Sequence, residues 1–319
     1  MSVTEAFSRF RPVFVVVIMT TAMAVLSPLG ASAHPRDPLA MDPGRGPAGA
    51  PPGAHQGATP PRTAMPEGSG TPIRESRRIP LDRLPPKELI AALMDSTSSA
   101  RMAATIERLQ DFGTRYVVSD SCLAAGMWIA NQFADLGYAD VRLDTFLTYS
   151  FQDSVSAMNV LAFKQGRGRG KEYVVLGGHY DSASAENFTD PYAEAPGAED
   201  NATAVAAVLE AARLLRDVPT DRDIIFACWS AEEEGLWGSR DFVTRALAES
   251  LDIVLYLNMD CIGYLAPDAG SEPITVFSDS LSLAVAGYMQ SLAADHTQYG
   301  LRTVVQPLGA SDHTSFSSV

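Results

Sequence analysis

The chain has 319 residues, which is enough for one large domain or two small ones. Hydrophobic residues make up 46% of it and charged residues 19%, a composition that supports a sizeable core and excludes a wholly disordered chain. The formal net charge of −14 argues against a nucleic-acid-binding surface, which requires clustered Lys and Arg.

The first 33 residues have the features of a secretory signal peptide. Arg9 and Arg11 form a basic region, residues 12–26 form an apolar run, and residues 31–33 (ASA) fit the small-residue cleavage rule. The run is short for a membrane span, which needs about 20 residues. We therefore expect cleavage, no stable membrane anchor afterwards, and a secreted or periplasmic protein. An uncleaved membrane anchor is the alternative.

Residues 34–79 are rich in Pro, Gly and Ala and show no apolar periodicity. Such a segment cannot bury enough apolar surface to offset the entropy of ordering it, so we expect a disordered linker. The residue composition changes at about residue 80, where apolar periodicity begins. We expect a single domain from there to residue 319.

Apolar residues at helical spacing predict helices over 88–110 and 123–136, the second with an apolar face of Leu123, Met127, Ala130 and Phe133. Short apolar strands then alternate with helices. We predict strands over 141–147, 159–163, 173–176, 223–229, 253–259 and 302–305, and helices over 202–215, 236–248 and 281–294. The first strand alternates in polarity like an edge strand. The pattern indicates an α/β fold whose mostly parallel central sheet carries helices on both faces.

The chain has three cysteines, which in an exported protein permit at most one internal disulfide. Cys228 and Cys261 lie in apolar runs, which favours buried thiols that act as small hydrophobic side chains. A bridge between two of the three, including Cys122, stays open as the alternative.

Histidines and acidic residues follow four of the predicted strands, and one more acidic residue precedes a predicted helix: His179, Glu232, Glu233, Asp260, His313 and Asp200. In open α/β sheets, ligands bind outside the carboxyl ends of the strands. Several carboxylates at one place are unfavourable unless a cation compensates them. A mixed set of histidines and carboxylates suits zinc, and two histidines with three carboxylates are what two metal ions sharing a bridge would need.

Five short motifs carry a family resemblance: residues 178–182 (GHYDS), 196–202 (PGAEDNA), 231–239 (AEEEGLWGS), 258–260 (NMD) and 311–313 (SDH). Their order and spacing resemble those of the co-catalytic zinc exopeptidases, which include bacterial leucyl aminopeptidases, glutamate carboxypeptidases and the inactive peptidase-like domain of the transferrin receptor. The resemblance covers roughly residues 84–319. It implies the zinc-exopeptidase, phosphorylase/hydrolase-like fold and a cofactor of two Zn²⁺ ions.

The resemblance also implies a role for each site residue. The metal ligands would be Asp200 as the bridge, His179 and Asp260 on one zinc, and Glu233 and His313 on the other. Glu232 would be the general base. Asp181 would orient the imidazole of His179, as metal-bound histidines require. The peptide bond between Asp200 and Asn201 would be cis.

The resemblance implies an exopeptidase that acts on peptide substrates, and we favour an aminopeptidase because an acidic rim can hold a free α-amino group. Three alternatives remain: a carboxypeptidase, a one-zinc acyl transferase like glutaminyl cyclase, and a non-catalytic domain like that of the transferrin receptor. The transferrin receptor domain has lost its metal ligands, whereas this chain retains all of them.

Family members continue after the last motif with another strand and a helix. We therefore expect this chain to lack those two elements, and residues 316–319 to lead into the missing strand.

Overall fold

The structure is a computed structural model, and it describes residues 87–150, 153–168, 171–263, 274–280, 282–296, 301–305 and 309–317. The predicted signal peptide and the linker at 34–79 lie outside the described residues. No helix among the described residues is both long and apolar enough to cross a bilayer.

Helices and strands alternate as the sequence predicts. The helices are α1 (Lys87–Asp95), α2 (Ser99–Gln110), α3 (Asp120–Asp135), α4 (Thr203–Leu215), α5 (Trp237–Ala248), α6 (Leu283–His296) and α7 (His313–Ser317). The strands are β1 (Asp140–Ser150), β2 (Asp153–Lys164), β3 (Glu172–His179), β4 (Asp223–Trp229), β5 (Asp252–Asn258), β6 (Ile274–Ser278) and β7 (Leu301–Val305). The helical pattern over 88–110 is divided into α1 and α2 because Ser98 caps the second helix, its hydroxyl accepting from the N–H of Arg101 at 3.3 Å.

The main sheet has the strand order β1-β2-β4-β3-β5. Strands β4, β3 and β5 run parallel, whereas β2 pairs antiparallel with both β4 and β1. Strand β1 lies at the edge, as its alternating polarity predicts. Strands β6 and β7 form a separate parallel pair. The strand predicted over 302–305 was expected to end at the same sheet edge as the other three. Among the described residues it pairs with β6 instead, because apolar periodicity identifies a strand but not its partner.

Helices cover both faces of the main sheet, as predicted. Along β4, Ile224, Phe226 and Cys228 belong to the cluster that includes α2, α3 and α4, whereas Ile225 and Trp229 belong to the cluster that includes α5. Successive side chains of a strand point to opposite faces, so this division shows a strand buried on both sides. Burial on both faces explains why the central strands are apolar without interruption.

The predicted apolar face of α3 is wrong in part, since Phe133 is buried as predicted but two other members are not. The apolar face assigned to α3 includes Leu123 and Met127, but these side chains are 55% and 45% exposed. The buried face is instead centred on Ala125, Gly126 and Ile129. A Cβ at Gly126 would lie 2.8 Å from both Met158 and the Tyr180 hydroxyl, so the smallest residue permits the helix to approach the sheet closely.

Residues 316–317 belong to α7, and residues 318–319, which are expected to lead into a further strand, lie outside the described residues. The ring of Phe316 stacks on Tyr256 with centroids 3.9 Å apart, and it also contacts the rings of Trp229 and Phe242. This packing seats the helix on the face of the sheet. No local pattern predicts the aromatic cluster, because its members come from four separate segments.

Candidate metal centre

His179 is the last residue of β3, and its side chain is only 1% exposed. Its Nε2 atom lies 3.2 Å from Asp200 Oδ1, 3.7 Å from Asp260 Oδ1 and 3.8 Å from Glu232 Oε2. Three carboxylates from three different loops thus converge on one imidazole nitrogen. The sequence predicted His179, Glu232 and Asp260 at the ends of parallel strands, whereas the family resemblance implied Asp200.

Asp181 lies on the other side of the same imidazole: its backbone carbonyl lies at hydrogen-bonding distance, 3.1 Å, from His179 Nδ1, and its Oδ1 lies 3.6 Å from the same nitrogen. Its two carboxylate oxygens accept the backbone N–H groups of Glu232 and Glu233, each at 3.2 Å. The side chain is buried. Asp181 therefore joins the end of β3 to the loop after β4 and limits the rotation of the histidine.

Asp200 lies in a turn, Ala198–Ala202, that precedes α4. The turn is anchored by Asn201, whose side-chain amide donates to the carbonyl of Met259 at 3.0 Å and whose amide oxygen accepts the N–H of Ala204 at 3.2 Å. The peptide bond between Asp200 and Asn201 is cis, as the resemblance implies. The Asp200 side chain itself is 53% exposed, so it faces both the histidine and solvent.

The three consecutive glutamates after β4 differ in their surroundings. Burial, with neighbouring carboxylates, raises the pKa of Glu232 to about 9, and burial, with Asp181 and Asp200, raises the pKa of Glu233 to about 7. Glu234 instead accepts hydrogen bonds from the hydroxyl groups of Tyr116 and Ser150. Glu232 and Glu233 thus face the acidic cluster, while Glu234 has other partners.

Asp260 follows β5, and His313 begins α7. The ligand atoms of His179, Asp200 and Asp260 all lie within 4.8 Å of one another, and they form the group of potential metal ligands found among the described residues. Glu233 and His313 do not belong to that group. The structure therefore brings together three of the five predicted ligands, and the other two lie outside that group.

The electrostatics of the centre are dominated by its carboxylates. Burial alone would lower the pKa of His179, but the carboxylates of Asp181, Asp200 and Asp260 outweigh burial and raise it well above its ordinary value. Burial would likewise raise the pKa of Asp260, but its contact with His179 lowers it. Burial lowers the pKa of His313, which favours the neutral imidazole that a metal requires.

The family model described as "Peptidase family M28" matches residues 159–319. The chain belongs to peptidase family M28. Among curated relatives, it is 28% identical over 207 residues to a "Probable zinc metalloprotease" of Pyrenophora teres f. teres, which covers 60% of this chain and 44% of the relative. It is 27% identical over 240 residues to "Leucine aminopeptidase 1" of Aspergillus oryzae, covering 72% of this chain and 61% of that one. This M28 chain thus spans less than two thirds of the length of each of these relatives.

Solved structures show the same fold. The LapA aminopeptidase of Legionella pneumophila matches with a TM-score of 0.59 at 21% identity, covering 73% of this chain and 61% of that one. The zinc aminopeptidase BSAP of Bacillus subtilis matches with a TM-score of 0.58 at 16% identity, covering 70% and 83%. A glutaminyl cyclase of Fimbriiglobus ruber gives a TM-score of 0.54 at 18% identity, covering 70% and 81%.

The donor set of this M28 chain fits zinc. An imidazole nitrogen and two carboxylate oxygens lie close enough to bind one ion, and histidine with carboxylate is a usual zinc ligand set. Repulsion among the carboxylates is the unfavourable term that a divalent cation would remove. His179, Asp200 and Asp260 would hold such an ion. Asp181 would orient the histidine through its contact with Nδ1, the ring nitrogen that faces away from the ion.

Sequence reasoning missed two kinds of residue at this centre. Asp312 is fully buried, and neither of its carboxylate oxygens has a hydrogen-bond partner among the described residues. Its position next to the predicted ligand His313 is the sequence feature that could have identified Asp312 as part of this centre. Asn258 donates to the hydroxyl of Ser311 at 2.7 Å and so connects the end of β5 to the loop that carries His313. Nothing in the sequence indicates that hydrogen bond.

The cysteines are partly as predicted. All three are free, and Cys122 and Cys228 are buried, whereas Cys261 is exposed. The prediction of a buried Cys261 is wrong because this residue lies beyond the end of β5, next to Asp260, where the chain has left the core.

Proposed function

We propose that this chain is a zinc-dependent aminopeptidase that removes N-terminal residues from peptides. The observation that carries the proposal is the approach of Asp200, Asp260 and Glu232 to Nε2 of the buried His179. Family membership and the leucine aminopeptidase relative support the same activity.

Two zinc ions per chain are part of the proposal. His179 and Asp260 would hold one ion, Glu233 and His313 the other, and Asp200 would be shared between them. Supporting this arrangement, the carboxylate of Asp200 contributes to the raised pKa of Glu233, and Asp260 acts electrostatically on His313. Glu233 therefore lies within electrostatic reach of Asp200, and His313 lies within electrostatic reach of Asp260.

Glu232 is the proposed general base. It accepts a proton from the attacking water and delivers it to the nitrogen of the leaving amine. Bound zinc would polarise the scissile carbonyl, lower the pKa of a water molecule and, as a nearby positive charge, favour the ionised form of Glu232. Asp181 keeps the His179 imidazole oriented through its contact with Nδ1. The acidic surroundings would hold the free α-amino group of a peptide.

The experiment is zinc analysis combined with a substrate panel. The panel contains aminoacyl p-nitroanilides, the same compounds with acetylated amino groups, peptides for C-terminal release, and a peptide with N-terminal glutamine. We expect zinc in the purified protein and hydrolysis of the free-amine substrates that is lost on acetylation. Cyclisation of the glutaminyl peptide without hydrolysis would indicate a glutaminyl cyclase, and release of C-terminal residues would indicate a carboxypeptidase.

We also propose that the protein is exported to the periplasm or the medium. The proposal is supported by the basic region, apolar run and cleavage sequence within residues 1–33. N-terminal sequencing of the mature protein tests it. A mature chain that begins near residue 34 is expected, and an uncleaved, membrane-bound chain would contradict it.

A further inference from the structure

Arg115 is a buried arginine between α2 and α3, outside the residues that match the family model. Its side chain is 0% exposed. The segment around it runs beside the chain that leads to Asp200. Thr114 forms an isolated parallel bridge with Ala195, whose N–H donates to the carbonyl of Gly113 at 2.9 Å.

The guanidinium group donates four hydrogen bonds, all to backbone carbonyls. Nε donates to the carbonyl of Tyr180 at 2.7 Å. Nη1 donates to Leu109 at 2.9 Å and to Pro196 at 2.7 Å, and Nη2 donates to Gly197 at 2.8 Å. One rigid planar group thus joins the end of α2 to two separate loops.

These two loops are the ones that carry the candidate ligands. Tyr180 lies between His179 and Asp181, while Gly197 opens the turn that contains Asp200. The carbonyl of Gly197 also accepts the N–H of Ala202 at 3.1 Å, which closes that turn. The guanidinium therefore fixes the distance between the histidine that ends β3 and the carboxylate before α4.

The backbone of Arg115 reinforces the connection through Ser182. The N–H of Arg115 donates to Ser182 Oγ at 3.1 Å, and the N–H of Ser182 donates to the carbonyl of Arg115 at 3.2 Å. Ser182 Oγ donates in turn to the carbonyl of Ala195 at 2.6 Å. A Cβ at Gly197 would lie 2.7 Å from Nη2, so glycine at this position leaves room for the guanidinium.

The charge of Arg115 has no direct ionic partner. Among the described residues, no carboxylate oxygen forms an ion pair with it within 4 Å. Burial lowers its pKa to about 10, so the group stays protonated at neutral pH, and its positive charge acts on Asp181, Asp200 and Glu233. A buried charge without a counter-ion is unfavourable for folding, which suggests that its position serves another purpose.

We propose that Arg115 is a positioning residue that preforms the zinc site by joining the His179 loop to the Asp200 loop with its four carbonyl hydrogen bonds. The inference rests on the metal site of the proposed function. Lysine keeps the charge but cannot reproduce a planar fork of four hydrogen bonds. Arg115→Lys therefore separates the geometric contribution of the side chain from its charge.

The experiment measures zinc affinity of metal-free protein by competition with a chelator, without any substrate. Arg115→Lys and Arg115→Met are compared with Arg222→Lys and Arg222→Met. Arg222 is a matched control because it is also buried and its Nε donates to Glu172 at 2.8 Å, but it immediately precedes β4 at the opposite end of the sheet. We expect zinc affinity to fall 10- to 100-fold in both Arg115 variants, which is the usual effect of losing a residue that orients metal ligands.

Thermal unfolding of the metal-free variants shows whether any loss of affinity follows from instability. If the Arg115 variants do not fold, Ser182→Ala removes only the hydroxyl bridge and should still weaken zinc binding. Wild-type affinity in Arg115→Lys would overturn the inference, and so would an equal loss in the Arg222 variants. A wild-type protein that binds no zinc would overturn the proposed function as well, so the two failures are distinguishable.

Discussion

Replacing Glu232 by glutamine should remove most of the activity while it makes the metal-free protein more stable. Glutamine has the same shape but cannot accept a proton from water. Positioned general bases contribute about 10²- to 10⁴-fold to the rate, so we expect kcat to fall by about that factor. KM and zinc content should change little, because Glu232 is not one of the proposed ligands.

The stability gain follows from the pKa of Glu232. Burial, with the negative charge of nearby carboxylates, raises this pKa from 4.5 to about 9 in the folded metal-free protein. The unfolded chain loses its proton from about pH 4.5, whereas the folded protein keeps it until about pH 9, so the folded state is progressively disfavoured between these values. One pKa unit corresponds to 1.36 kcal/mol, which gives a penalty of about 3 kcal/mol at pH 7 and less than about 1 kcal/mol at pH 5. Glutamine carries no charge and avoids the penalty.

The assay is chemical denaturation of zinc-free wild type and Glu232→Gln at pH 5 and pH 7. The free energy of unfolding of the variant should exceed that of wild type, by more at the higher pH. Glu234→Gln is the control for activity, because its amide oxygen can still accept from Tyr116 and Ser150, and turnover should persist. A stability difference that does not change with pH, or unchanged turnover in Glu232→Gln, would refute the reasoning.

Three further predictions follow from the same contacts. Asp200→Ala should abolish zinc binding, and full zinc content by mass spectrometry would contradict the shared-ligand role. Gly197→Ala should destabilise the protein by about 1–3 kcal/mol in denaturation, because φ is +51° and the new Cβ would lie 2.5 Å from the carbonyl of Asp200; unchanged stability would count against this turn. Of the thiols, Cys261 alone should react with a disulfide reagent in the folded protein, and reaction of Cys122 or Cys228 would show that they are accessible.

The sequence predicted the parts of the fold that depend on local pattern. Apolar runs identified β4 over its full length and all of α4, and the rule that parallel strands end at one edge correctly placed His179 and Asp260 side by side. Motif order then implied Asp200, whose position depends on a turn rather than on a strand. These successes share one cause, which is that the signal lies within a few consecutive residues.

The parts that the sequence did not predict depend on contacts between distant segments. Helical spacing placed Leu123 and Met127 on the buried face of α3, but the small Gly126 decides which face approaches the sheet. The sequence does not indicate the role of Arg115, because its hydrogen-bond partners are backbone carbonyls, which every residue type carries. The packing of Phe316 was not predicted because its ring contacts Tyr256, which belongs to a distant segment of the chain.

The central claim is that His179, Asp200 and Asp260 converge because a divalent cation binds between them. Anomalous diffraction at the zinc absorption edge, from crystals of the purified protein, tests it most directly. We predict a peak within bonding distance of His179 Nε2 and of carboxylate oxygens of Asp200 and Asp260, with a second peak that shares Asp200. Strong zinc peaks elsewhere, or no peak beside His179 after zinc is added, would contradict the account.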